Sequence, residues 1–105
     1  MVLICTTQEI MGKIKSAKQM ERHLKGISNH YRIKILLLIS DQPDITLEGI
    51  VDNIKANEKT IGEHTRRLYV AGLINKSYRG KFREHNLTPY GKMLVKFLKS
   101  FQSVQ

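Results

Sequence analysis

TLEGIVDNIKANEKTIGEHTRRLYVAG, running from Thr46 to Gly72, is the stretch that decides the fold. Thr46 is a good N-cap type, and Leu47, Ile50, Val51 and Ile54 follow it at helical spacing. Lys55-Ala56-Asn57 leaves room only for a turn, with Asn57 as the cap of a second helix. Along that helix Ile61, Thr65 and Leu68 fall on one side, while Lys59, Thr60, Glu63, Arg66 and Arg67 fall outside or on the flanks. Gly72 closes it. Two short helices joined by so tight a turn, the second polar on its outer side, meet the requirements of a helix-turn-helix.

Downstream, Leu73–Tyr78 and Phe82–Leu87 read as two strands around Arg79-Gly80-Lys81. Thr88 and Pro89 then supply a cap and a first helical residue for a last helix, striped by Tyr90, Leu94, Phe97, Leu98 and Phe101. Upstream, Asp41-Gln42-Pro43-Asp44 breaks a helix that starts at Ser28-Asn29. Its residues Ile33, Ile35, Leu36, Leu37 and Ile39 are apolar almost all round, which places it at the centre of the domain. The capping-box pattern Thr6-x-x-Glu9 predicts a first helix carrying Ile10, Ile14, Ala17 and Leu24 and ending at Lys25-Gly26 on a left-handed glycine. The expected order is α-α-α-α-β-β-α: a mainly α fold with a small β-hairpin wing, a winged helix-turn-helix filling residues 1–105 as a single domain.

The chain has 105 residues, 41% apolar and 26% charged, which suits one globular core. Apolar runs reach only five residues, as in Ile35–Ile39, far short of a membrane span, and Met1–Cys5 is too short for a signal core. A single cysteine forms no internal disulfide or thiolate cluster, which fits a cytoplasmic setting. Residues 1–53 hold seven bases and six acids; residues 54–105 hold eleven bases and three acids. A basic half joined to a near-neutral half suggests one face that meets a polyanion, or else a highly soluble surface.

Three segments resemble winged helix-turn-helix transcription regulators of the ArsR type. Ile27-Ser28-Asn29-His30-Tyr31-Arg32-Ile33-Lys34-Ile35-Leu36 is similar to that family's L-S-N-P-x-R-L-x-I-L. Ile50-Val51, Ile54, Ala56, Thr60-Ile61, His64 and Leu68 through Ile74 follow its helix-turn-helix pattern. Leu87-Thr88-Pro89-Tyr90-Gly91 resembles the L-T-P-x-G that leads into the final helix, where the tail resembles MarR and PadR proteins. The match spans about residues 27–91, the expected DNA-binding core. It departs at His30 for proline, Thr65 for leucine, and Gly62-Glu63 for serine-arginine.

The resemblance implies a sequence-specific regulator of double-stranded DNA, a homodimeric repressor, not an enzyme. The segment Glu58–Ala71 would enter the major groove, with Lys59 and Thr60 on its first turn and free amides turned to phosphate. Arg66 and Arg67 would bind phosphates. Glu63 either accepts from a cytosine amino group or pairs with Arg66 or Arg67; His64 either touches a phosphate or packs half-buried. Arg79, Lys81 and Arg83 would bring the wing to the neighbouring minor groove. Tyr78 and Phe82 are expected to pack against the helices, the other choice being to stack on unpaired bases.

Ile10, Met11, Ile14 and Met20 with Tyr90, Leu94, Phe97, Leu98 and Phe101 are read as dimerisation surfaces, since such stripes exceed what one small core covers. Metal sensing is not expected, because His23, His30, His64 and His85 lack ligand spacing and Leu47–Ile54 holds no cysteine. Cys5 is either a redox switch or an inert thiol. No cofactor is called for, and no effector is indicated. A winged-helix protein–protein module and a nonspecific or RNA-binding domain are the other readings; the charge excess weighs against the former.

Overall fold

The computed structural model describes residues 14–104. Helix α1 spans Ala17–Ile27, α2 His30–Asp41, α3 Leu47–Ile54, α4 Glu58–Val70 and α5 Pro89–Gln102; strands β1, β2 and β3 span Ile45–Thr46, Ile74–Arg79 and Phe82–Leu87.

Local capping chemistry sets most of these boundaries. The Asn29 Oδ1 accepts from the amides of Tyr31 and Arg32, the Thr46 hydroxyl from Gly49, and the Thr88 hydroxyl from Gly91. At the end of α4 the Leu73 amide donates to the Leu68 carbonyl and the Gly72 amide to that of Tyr69, each at 3.0 Å. This double bond pattern needs the left-handed φ of +78° that Gly72 adopts. The Thr88 hydroxyl donates in turn to the Gly72 carbonyl at 2.7 Å, so the wing is tied back to the end of α4. Gly91 lets α5 rest on the Leu73 carbonyl, where a Cβ would stand 2.1 Å away.

The core is one cluster. Ile35, Leu36 and Ile39 of α2 meet Ile50 of α3, Ile61 and Leu68 of α4, Leu73, Ile74 and Val95. Because α2 contributes the centre, α3 and α4 are pressed against it by their apolar sides and their polar sides face out. Helices α3 and α4 form the helix-turn-helix, and β2–β3 form the wing.

Four sequence expectations are corrected. The expected helix through Ile14 and Ala17 is not continuous: residues 14–16 are not helical, and Ser16 opens α1 with a capping box, its hydroxyl accepting from the Gln19 amide and Gln19 Oε1 accepting from the Ser16 amide. The Thr6–Glu9 pattern, Ile10 and Met11 lie outside the described residues. The buried face of α1 is His23, Gly26 and Ile27, while Leu24 is exposed. Gly26 does not take a left-handed cap; it is helical and absent a side chain because a Cβ would lie 2.3 Å from the Ala71 Cβ, where α1 crosses the end of α4.

Finally, the element order contains an unforeseen strand. β1 pairs antiparallel with β3 (Ile45 with His85, Thr46 with Glu84), giving a three-stranded sheet in the order β1-β3-β2. Fully buried His85 donates from Nδ1 to the Ile45 carbonyl at 2.9 Å, and Asp44 and Asn86 exchange two further hydrogen bonds across the same junction. These bonds anchor the root of the wing to the helix-turn-helix. In β2–β3 the register from Ile74 opposite Leu87 to Arg79 opposite Phe82 leaves a two-residue loop, Gly80-Lys81, with positive φ at Gly80.

Candidate nucleic-acid interface

Helix α4 is held by Ile61, Thr65 and Leu68, all buried, with the Thr65 hydroxyl returned to the Gly62 carbonyl at 2.9 Å. Lys59, Thr60, Glu63, Arg66 and Arg67 are therefore exposed together on the opposite side. The Asn57 Oδ1 accepts from the amides of Lys59 and Thr60 at 2.8 and 3.1 Å. Two donors expected to be free for phosphate are thus already engaged, a correction to the sequence reading.

Glu63 is the electrostatic centre of this face. Arg66 donates from Nε to Oε1 at 2.9 Å and from Nη2 to Oε2 at 2.8 Å, and Arg67 donates from Nε to Oε2 at 3.0 Å. The bidentate Arg66 contact, helped by Arg67, lowers the Glu63 pKa to about 2 and raises that of Arg66. Of the two alternatives for Glu63, the structure shows the pairing with both arginines. His64 is half-buried, its ring stacked on Tyr31 of α2 with centroids 5.7 Å apart. Burial, then the Arg32 and Arg67 charges, lower its pKa.

The wing carries its charges differently. The Arg79 Nε lies 2.9 Å from Oε2 of the largely buried Glu84, while the arginine side chain itself is 82% exposed. Arg83 donates to the Tyr78 hydroxyl and lies over that ring at 5.2 Å, and Lys81 approaches the Phe82 ring at 5.7 Å. Tyr78 and Phe82 do not pack against the helices, as expected from sequence; they are 67% and 47% exposed. The reason is register: Tyr78 pairs with Arg83 and Phe82 with Arg79 at the distal end of the hairpin, beyond the last helix that could cover them. Lys76 links the wing to α4. Its pKa is lowered first by burial and then by the Arg83 and Arg66 charges.

Residues 29–76, which hold α2, α3, the whole of α4 and the start of the wing, match the family model for bacterial regulatory proteins of the ArsR family. Over these residues the chain resembles the ArsR family, and its fold is a winged helix-turn-helix. Solved structures with the same fold include reduced HlyU from Vibrio cholerae, with a TM-score of 0.75 at 17% identity over 84% of this chain and 93% of that one. Mb0332 from Mycobacterium bovis, described as a homodimeric winged helix-turn-helix DNA-binding domain, gives 0.74 at 20% identity over 86% and 89%. FabT from Streptococcus pneumoniae, solved in complex with DNA, gives 0.65 at 18% identity over 68% and 52%. No curated protein sequence matches the chain.

The stripe on α5 divides in two. Leu94 and Leu98, expected in the dimer surface, are partly buried against the chain's own core beside buried Val95. Tyr90, Met93, Phe97 and Phe101 remain exposed, with Phe97 and Phe101 stacked on each other at 5.7 Å. Ile14, Met20 and Leu24 are exposed as well. An apolar cleft lined by Lys15, Met20, His23, Leu24, Tyr90, Met93 and Leu94 joins the two surfaces, roofed by the Lys15 ammonium 3.9 Å above the Tyr90 ring.

Sequence reasoning passed over three residues of the interface region. Arg32 enters the sequence reading only as part of a helix-opening motif, and Lys76 and Glu84 only as positions within the two strands. The i, i+3 and i, i+4 spacing made the Glu63 pairs readable, but no local signal connects Arg79 to Glu84 across a hairpin. Among the described residues no three His, Cys, Asp or Glu side chains gather to hold a metal ion, and no helix is long and apolar enough to cross a membrane.

Proposed function

We propose that this chain is a sequence-specific binder of double-stranded DNA that works as a homodimeric repressor. The observation that carries the reading is the placement of α4: its apolar side is sealed into the core, and Lys59, Thr60, Arg66 and Arg67 are left uncovered along one outward flank. A helix so presented fits the major groove of B-form DNA, Lys59 and Thr60 leading. Arg66 and Arg67 lie farther along, towards the phosphates, and Arg79, Lys81 and Arg83 stand on a wing that reaches the next minor groove.

The exposed aromatic face of α5 with Met20 and Leu24 of α1 supports dimerisation, and the homodimeric state of Mb0332 agrees with it. A two-fold pair sets two copies of α4 roughly 34 Å apart, one turn of DNA. The repressor reading takes such a dimer to act by occupying its site. One observation favours a second reading, single-strand binding: Tyr78 and Phe82 present open rings among basic residues. Titration against duplex and single-stranded probes at several salt concentrations separates the two. The proposal expects one duplex sequence to be retained over competitor duplex as salt rises; equal loss of all duplexes, or a preference for single strands, overturns it.

A further inference from the structure

Behind the outward flank of α4, and sharing Arg66 and Arg67 with it, lies a second basic feature. A cleft of about 200 Å³ opens between the end of α1, the start of α2 and the last turns of α4, lined by Arg22, Lys25, Arg32, Arg66, Arg67 and Val70 among others. That volume admits several water-sized groups. Five cations converge on it. Glu63 neutralises part of the Arg66–Arg67 pair, and Glu21 holds Lys25 at 3.3 Å in a contact open to solvent. Arg22 and Arg32 have no carboxylate partner among the described residues.

Arg32 is the informative member. Its Nε is buried and finds no hydrogen-bond acceptor among the described residues. An unsatisfied buried donor on a charged group is costly, and a structure keeps few of them. Burial and the facing Arg67 guanidinium both lower its pKa, which is the condition that a bound anion relieves. The geometry points to the cleft as a binding site for a phosphate-type oxyanion, lined by Arg32 together with Arg22, Lys25 and Arg67. Planar guanidinium forks suit such oxygens better than point charges do. The anion has two sources, a phosphate of the DNA backbone or a free phosphorylated small molecule. The inference concerns the DNA-free protein and stands apart from the repressor reading.

The test is inorganic pyrophosphate titrated into the full chain without DNA, followed by NMR on the arginine Nε–H signals. A saturable shift at Arg32 is expected, and the affinity read from the Arg22 and Arg67 signals should weaken about tenfold in Arg32→Gln, the scale of one charge-assisted hydrogen bond. Arg22→Gln, at the open rim, provides a variant that leaves the core alone, and its affinity should fall several-fold. The absence of a saturable shift at Arg32, or wild-type affinity in a folded Arg22→Gln protein, overturns the proposal whatever the duplex experiments give. With binding established, duplex affinity identifies the source. A backbone phosphate predicts that Arg22→Gln lowers duplex affinity and the salt slope by about one. A free anion predicts unchanged duplex affinity in phosphate-free buffer and a response to pyrophosphate only in the unmodified protein.

Discussion

Replacing Glu63 by glutamine isolates what the acid does on α4. In the structure one carboxylate takes two hydrogen bonds from Arg66 and one from Arg67, so two guanidinium groups on the proposed DNA face are turned inward along their own helix. Glu63→Gln removes the charge and releases them. Each additional phosphate contact steepens the dependence of log affinity on log salt by about 0.9. One or two new contacts therefore add about 0.9 to 1.8 to the slope. Between 50 and 200 mM salt this amounts to about 3- to 12-fold extra loss of affinity, on top of tighter binding at the lower salt. The thermal midpoint should hardly move, because exposed ion pairs contribute little to stability. Fluorescence anisotropy with a fixed duplex over that salt range measures the slope directly. An unchanged slope, or weakened binding to a single preferred sequence alone, refutes the sequestration argument; the second outcome would return Glu63 to contact with a cytosine amino group.

Other outcomes follow from the same geometry. Lys59→Ala and Thr60→Ala should alter which sequence is preferred, whereas Arg79→Ala should weaken all duplexes alike, as competition assays on a panel of duplexes would show. Phe97→Glu should convert a dimer to a monomer in sedimentation velocity and lower duplex affinity by tenfold or more, since each monomer then holds only a half-site. Acid should destabilise the protein through His85. Burial lowers its pKa below the ordinary value of 6.5, the Ile45 hydrogen bond opposing this only in part, so the unfolded chain takes the proton first. The stability it confers is complete above that value and declines as pH falls through and below it. His64 shifts the same way. Chemical denaturation between pH 7.5 and 5 should show this loss, with a shallower slope in His85→Asn; a slope unaltered in that variant would remove His85 from the account.

What could be read from sequence was what is determined locally. Asn29, Thr46, Asn57 and Thr88 each cap a helix through their own side chain and the next few amides, so a single window contains the whole interaction. The same holds for the Gly80 turn and for the apolar centre at Ile35–Ile39. The misreadings come from contacts distant in sequence. Strand β1 is two residues long and exists because His85 and Asn86, some 40 positions on, bond to it. Gly26 looks like a helix stop until Ala71 is known to lie against it. On α1 the apolar rhythm of Ile14, Ala17 and Leu24 runs across Ser16, whose capping box with Gln19 starts the helix there and outweighs the rhythm.

The candidate site divides along the same line. The exposed face of α4 was legible, because helical periodicity alone puts Lys59, Thr60, Glu63, Arg66 and Arg67 opposite Ile61 and Leu68. The aromatic residues at the end of the hairpin were not, because their exposure depends on how far the strands outrun the helices. Arg32 escaped notice because its significance lies in four cations from two other helices.

Selection of bound sequences from a random duplex pool, using the full chain at near-physiological salt, tests the central claim that α4 reads a groove of DNA. The account predicts enrichment of a near-palindrome whose half-sites are centred about one helical turn apart, and loss of that enrichment when Lys59 and Thr60 are both alanine. A pool that remains as diverse after several rounds as at the start would contradict it.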